Sequence, residues 1–194
     1  MTRARDVADR NITADQLDLT DDYAFTGTVT GISAGKVLQV VSTTKTDTAS
    51  FASTSSNTFQ DISGMSVSIT PSATSSKILI LFTANVSNST SATVHVRLMR
   101  DSTAIYVGDD DSASRLQDSA ILRSASSPYS LEIGNLNGTH LDSPSTTSSV
   151  TYKLQGVLGA SYSGNFLLNR SSGDSNADFG GRPASSITVM EIEA

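Results

Sequence analysis

There is no cysteine among the 194 residues. This excludes a disulfide staple, a thiol nucleophile and a Cys-ligated zinc site, and it says nothing about redox compartment. Charge is sparse: Asp, Glu, Lys and Arg make up 16% of the chain, with 13 basic and 19 acidic side chains and a formal net charge of −6. That balance argues against a large nucleic-acid footprint, which needs a basic patch to neutralise phosphates. Long apolar runs are missing as well. The longest strongly apolar stretch is Ile78-Leu-Ile-Leu-Phe82, far short of the roughly 20 residues needed to span a bilayer. The opening Met1-Thr-Arg-Ala-Arg-Asp-Val-Ala-Asp-Arg10 lacks the continuous apolar core of a signal peptide, so a soluble product not exported by the usual route is expected. Leu, Ala, Glu and Lys are scarce against Ser, Thr, Val and Ile, and 34 Ser with 23 Thr give 57 small hydroxyl residues. Such a composition suits pleated strands and excludes an all-helical fold. The 37% hydrophobic share is lean but sufficient for one core.

The first 35 residues differ from the rest. Arg3–Arg10 carries three Arg and two Asp, and Asn11–Asp22 carries four Asp and no basic residue. A Gly- and Thr-rich connector, Phe25–Gly35, follows. Residues 1–35 therefore read as an arm ordered against something else, and residues 36–194 as one domain. From Lys36 the hydrophobic period becomes two. Strands are expected at 36–43, followed by a hydroxyl-rich loop through Asn57, at 66–70 up to Pro71, at 77–86, at 94–99, and at 105–107 after a turn at Asp101-Ser-Thr-Ala104. Further strands are expected at 130–136, 150–160, 165–169 and 187–192. Short strands separated by Ser, Thr, Gly and Asp turns predict an all-β, antiparallel β-sandwich of eight to ten strands.

The strand at 77–86 departs from simple alternation. In a two-layer sandwich the outer side of a strand normally meets water, yet Ile78, Ile80 and Phe82 fall on one side and Leu79 and Leu81 on the other. Two readings follow: a loop of the same chain covers Leu79 and Leu81, or another copy of the chain does. The second is preferred. Burying two Leu per subunit would contribute roughly 3–6 kcal/mol before ordering costs.

Chemistry-bearing motifs are weak. Gly31-Ile-Ser33-Ala-Gly35 matches the nucleophile-elbow pattern, but that chemistry needs a strand-to-helix turn beside a His and an acid, and this Ser lies in a flexible connector. Of two histidines, His95 falls mid-strand and reads as a surface or interface residue. His140 is read beside a turn at Asn137-Gly138, and nothing in the spacing gives either a catalytic Ser. Asp174-Ser-Asn176-Ala-Asp178 begins like a calcium loop but has Phe179 where Gly is needed and Ser185 where a bidentate Glu is needed, so a polar turn is expected. Asp109, Asp110 and Asp111 form a tight acid cluster that would be splayed in water or would meet a cationic partner, which makes them candidate exposed-loop contacts. Glu occurs only at 132, 191 and 193. The acids are expected to lie mostly in loops, exposed, with ordinary titration. Asn88-Ser-Thr90 and similar matches follow from composition. No catalytic, cofactor or metal residue is nominated.

Several phrases carry a resemblance as an ordered set. Gly35-Lys-Val-Leu-Gln-Val-Val-Ser-Thr-Thr-Lys-Thr-Asp47 and Ile62-Ser-Gly-Met-Ser-Val-Ser-Ile-Thr-Pro-Ser-Ala-Thr-Ser-Ser-Lys-Ile-Leu-Ile80 resemble virion appendage proteins of tailed phages, especially marine and cyanobacterial ones. Leu98-Met-Arg-Asp-Ser-Thr, Leu141–Gln155, Asn169-Arg-Ser and Ala184–Ile192 continue the match over nearly all of 35–194. Arg3-Ala-Arg-Asp-Val-Ala-Asp9 is similar to the start of such fibre proteins. The resemblance implies a fibre, spike or knob subunit with a trimeric jelly-roll head like those of tumour-necrosis-factor and complement-type proteins. It implies virion attachment through the arm (Arg3, Arg5, Asp6, Val7), a trimer interface including Leu79 and Leu81, and no catalytic residue or cofactor. Expected partners are two further copies, other tail or capsid proteins, and a host cell-surface glycan or protein where the head adsorbs. Nucleic acid and membrane insertion are not expected. The expected location is the virion, assembled in the host cytoplasm. The competing readings are a glycan depolymerase tailspike, which would need converging carboxylates in a cleft, and a connector buried in the tail.

Overall fold

The computed structural model describes residues 36–53, 57–109, 115–123, 131–159, 162–178 and 180–193, all within the unit spanning Gly35–Ala194. Arg3, Arg5, Asp6, Val7, the Gly31–Gly35 motif, Asp110 and Asp111 lie outside the described residues. Eleven strands are present among those described: β1 (Val37–Lys45), β2 (Ala49–Ser53), β3 (Gln60–Ile69), β4 (Lys77–Asn88), β5 (Thr93–Arg100), β6 (Thr103–Ile105), β7 (Ala120–Arg123), β8 (Gly134–Asp142), β9 (Val150–Leu158), β10 (Gly164–Leu168) and β11 (Ser185–Ile192).

They form two antiparallel sheets facing each other as a jelly-roll-like β-sandwich. One sheet runs β1-β11-β4-β10-β2, with β8 on the other edge of β4; the second runs β3-β9-β5-β6, with β7 also on β5. Strand β4 is long enough to serve β11 at Lys77–Thr83 and then β10 at Val86–Asn88, while β8 runs along Ile78–Val86. Period-two patterning decides what faces inward. Ile78, Ile80, Phe82, Ala84 and Val86 of β4 meet Val94, Val96 and Leu98 of β5, Tyr152, Leu154 and Leu158 of β9, and Ile187 and Val189 of β11 in one core. Phe51 of β2 stacks on Phe166 of β10 with ring centroids 4.7 Å apart.

Several expectations are corrected. The stretch after β1 contains β2, whose sequence Ala-Ser-Phe-Ala-Ser has no β-branched residue to announce it. Strand β3 starts six residues before the expected strand at 66, because a bulge between Asp61 and Ser66 interrupts its alternation. Gly64 occupies that bulge at φ +80, a left-handed conformation that disfavours any residue with a Cβ. The strand expected at 130–136 is β8, displaced to Gly134–Asp142. Asn137-Gly138 lies in its middle and is no turn. Asp101, at φ +51, does turn the chain, but the turn between β5 and β6 takes only Asp101 and Ser102, so the strand expected at 105–107 is displaced to Thr103–Ile105.

Two polar clusters are buried, and the first joins the two sheets. Asp142 of β8 accepts both Arg100 Nη1, at 2.9 and 3.0 Å, and the Tyr152 hydroxyl, at 2.7 Å, so one carboxylate joins both sheets. Burial, and then donation to Asp142, push the Tyr152 phenol well above the ordinary tyrosine range. Glu191 of β11 is fully buried. Its carboxylate accepts Gln39 Nε2 at 2.6 Å, the Ser72 backbone N–H at 2.7 Å and the Ser72 hydroxyl at 2.6 Å. Burial alone would raise its pKa, but these donors and Ser76 outweigh it and hold the group at about 2. The expectation of exposed acids thus fails at Asp142 and Glu191, and that of ordinary titration fails at Glu191.

Candidate functional site

The outward positions of the six-stranded sheet can be read row by row from its register. At one end Val40, Met190, Leu79 and Leu141 stand side by side across β1, β11, β4 and β8. The next row is Ser42, Thr188, Leu81 and Thr139, with the Ser42 and Thr188 hydroxyls 2.8 Å apart. Then come Thr44, Ser186, Thr83 and Asn137, and finally Asn85 opposite Asn135. None of these fourteen side chains is charged. Lys77 and the Lys36–Glu193 pair, at 3.7 Å, lie beyond the apolar end.

The apolar end is exposed. Val40 is 55% exposed, Leu141 54% and Leu81 37%, with Val37 and Leu38 also exposed at the start of β1. Leu79 is half-buried and Leu81 exposed among the described residues. Four strands about 4.8 Å apart, over nine residues of β4, give a plan area on the order of 500 Å². Accessible area exceeds plan area because side chains stand out from the sheet. The face therefore approaches the roughly 800 Å² that each partner contributes to a standard interface, and absence of charge is what marks interface cores.

The outer face of the five-stranded sheet is different. Arg97 lies over the Phe59 ring at 4.0 Å and donates from Nε and Nη2 to Gln155 Oε1 at 3.0 and 2.8 Å. Gln155 Nε2 and Lys153 Nζ each donate to Asp61 at 2.7 Å. The Lys153 bond, followed by that from Gln155, draws the Asp61 carboxyl below its usual range. His95, expected as a surface or interface residue, is largely buried within the chain itself, with Nδ1 3.0 Å from both Asp118 oxygens. Asp118 lies 23 residues along the chain, so no local signal marks it.

The remaining candidate residues do not converge. His140 stacks with Tyr106 at 5.3 Å, within β8. Asp109 is exposed, in the loop after β6. Asp174 belongs to a cleft of about 400 Å³ shared with Ser175, Asn176, Gly180 and Arg182. Its carboxylate accepts Arg182 Nε at 3.1 Å and Nη2 at 2.9 Å, with Arg170 at 3.4 Å. Guanidinium groups thus stand where the calcium-like pattern would place a cation, and the Arg182 bond lowers the Asp174 pKa. Among the described residues no group of three or more His, Asp or Glu gathers as a metal site, and no helix is long and apolar enough to cross a membrane.

No protein-family model and no curated protein matches the chain. Among solved structures it is similar to an infectious bursal disease virus VP2 subviral particle, at TM-score 0.38 and 13% identity over 79% of this chain and 39% of that one. It is also similar to a structure of the Gx strain of that virus, at TM-score 0.40 and 13% identity over 89% of this chain and 45% of that one. The chain spans less than half the length of either, and overlap at this level carries no argument about what the protein does.

Proposed function

We propose that this chain is a non-enzymatic structural subunit of a phage particle: a homotrimeric fibre, spike or knob whose head is the β-sandwich. The observation that carries this reading is the uncharged outer face of the six-stranded sheet, with Leu79 and Leu81 in its apolar end. A chain of net charge −6 tends on balance to repel its own copies; on this face copies meet without opposing like charges. Around a threefold axis one such face contacts both neighbours. The sequence resemblance to phage appendage proteins supports the virion location, and the composition of 1–35 supports its use as the arm that docks on another virion protein.

The test pairs two variants. Leu79→Asp with Leu81→Asp should convert the assembly to folded monomers. A form starting at Gly35 should remain β-rich and trimeric but be missing from particles assembled with it alone. A trimer that survives the double aspartate change, or particles that incorporate the truncated form normally, would contradict the proposal.

A further inference from the structure

Asparagine is among the residues most depleted from strands, yet three stand together at the polar end of the uncharged face. Asn137 Nδ2 donates to Asn135 Oδ1 at 3.2 Å, Asn135 Nδ2 donates to Asn85 Oδ1 at 3.0 Å, and Asn85 Nδ2 donates to the Ala184 carbonyl at 2.7 Å. The three amides form a connected ladder across the edge of the sheet, with Asn135 and Asn137 exposed. Each amide offers two donor hydrogens and two acceptor lone pairs. The ladder uses only part of that capacity and aims the rest outward.

We propose that this ladder is the element that sets subunit register and number when copies of the chain assemble. The inference rests on the assembly reading above and extends it from affinity to specificity. The apolar row Val40–Met190–Leu79–Leu141 supplies attraction without direction, because hydrophobic contact is satisfied by many sliding arrangements. Amide hydrogen bonds are directional, and a misaligned amide buried without a partner is costly. A single polar Asn in an apolar seam can fix register and oligomer state in coiled coils; the Asn85–Asn135–Asn137 ladder has the same chemistry on a sheet. The occupant is a second copy, because its own uncharged face brings an identical amide row and no charge to strand in the seam.

The experiment replaces Asn135 and Asn137 together by Thr in the full chain and measures the distribution of assembly masses by native mass spectrometry and sedimentation. Thr is the better strand former, so a purely structural role predicts an equally or more stable protein with unchanged stoichiometry. The ladder predicts that thermal stability is kept while the single trimer species splits into a mixture of dimers, trimers and larger forms. A uniform trimer in Asn135→Thr/Asn137→Thr overturns the ladder alone. A parent chain that is monomeric overturns the assembly reading as well, so the two failures are distinguished by which protein shows them.

Discussion

The outer faces of the two sheets are built on the same antiparallel pleat but use different chemistry. On the five-stranded sheet, Arg97, Gln155, Asp61 and Lys153 form a hydrogen-bonded chain across β5, β9 and β3. On the six-stranded sheet the outward rows hold Val, Leu, Met, Ser, Thr and Asn. The charged network is satisfied within one copy and is readily solvated, so it gives a second copy little reason to dock. The uncharged face leaves apolar area in water that only another surface can cover. The core beneath both faces is the same, so the difference is a property of outward positions alone, which folding itself leaves free to vary.

The sharpest way to break this contrast is to place charge on each face in turn. Leu79→Asp with Leu81→Asp removes roughly 3–6 kcal/mol of burial per subunit, and sedimentation should report monomers with an unchanged far-ultraviolet spectrum. Next in size are changes between the sheets, which should weaken the fold without choosing a face. Asp142→Ala leaves Arg100 and Tyr152 without their shared acceptor and should lower stability by about 3 kcal/mol in urea unfolding.

Glu191 should make the fold acid-sensitive. Its folded-state pKa of about 2 lies below the ordinary 4.5, so its contribution is present above 4.5 and is lost as pH falls through that interval. The unfolded chain takes up the proton first, which gives stability a downward slope toward acid. Urea midpoints measured across that range should drop, with a change of about 3 kcal/mol from this group, and Glu191→Gln should flatten the drop. The smallest effect is expected on the charged face. Ser68 and Thr151, whose hydroxyls are 2.8 Å apart there, should both accept Asp with assembly intact and stability changed by no more than about 1 kcal/mol.

Much of the sandwich was legible where alternation is clear, as in β5 and β11, or where the apolar run is strong, as in β4 and β9. It was illegible where a glycine serves packing instead of turning the chain. A Cβ on Gly138 would lie 2.5 Å from the Phe82 ring and 2.9 Å from that of Tyr106, so this glycine makes room for two aromatic rings in mid-strand, and Asn137-Gly138 mimics a hairpin turn. Leu79 and Leu81 stood out because both sides of one strand are apolar. Their neighbours Val40, Met190 and Leu141 did not, since only the register of β1, β11 and β8 brings residues so far apart in sequence into one row. The pairings of His95 with Asp118 and of Glu191 with Gln39 and Ser72 escaped for the same reason.

The mass of the unmutated chain in solution tests the central claim most directly. Sedimentation equilibrium over a range of concentrations should give a particle near three times 20.3 kDa, with native β structure. A stable, natively folded particle of 20.3 kDa at all concentrations would mean that the uncharged face is covered by something other than its own kind, and would contradict the account.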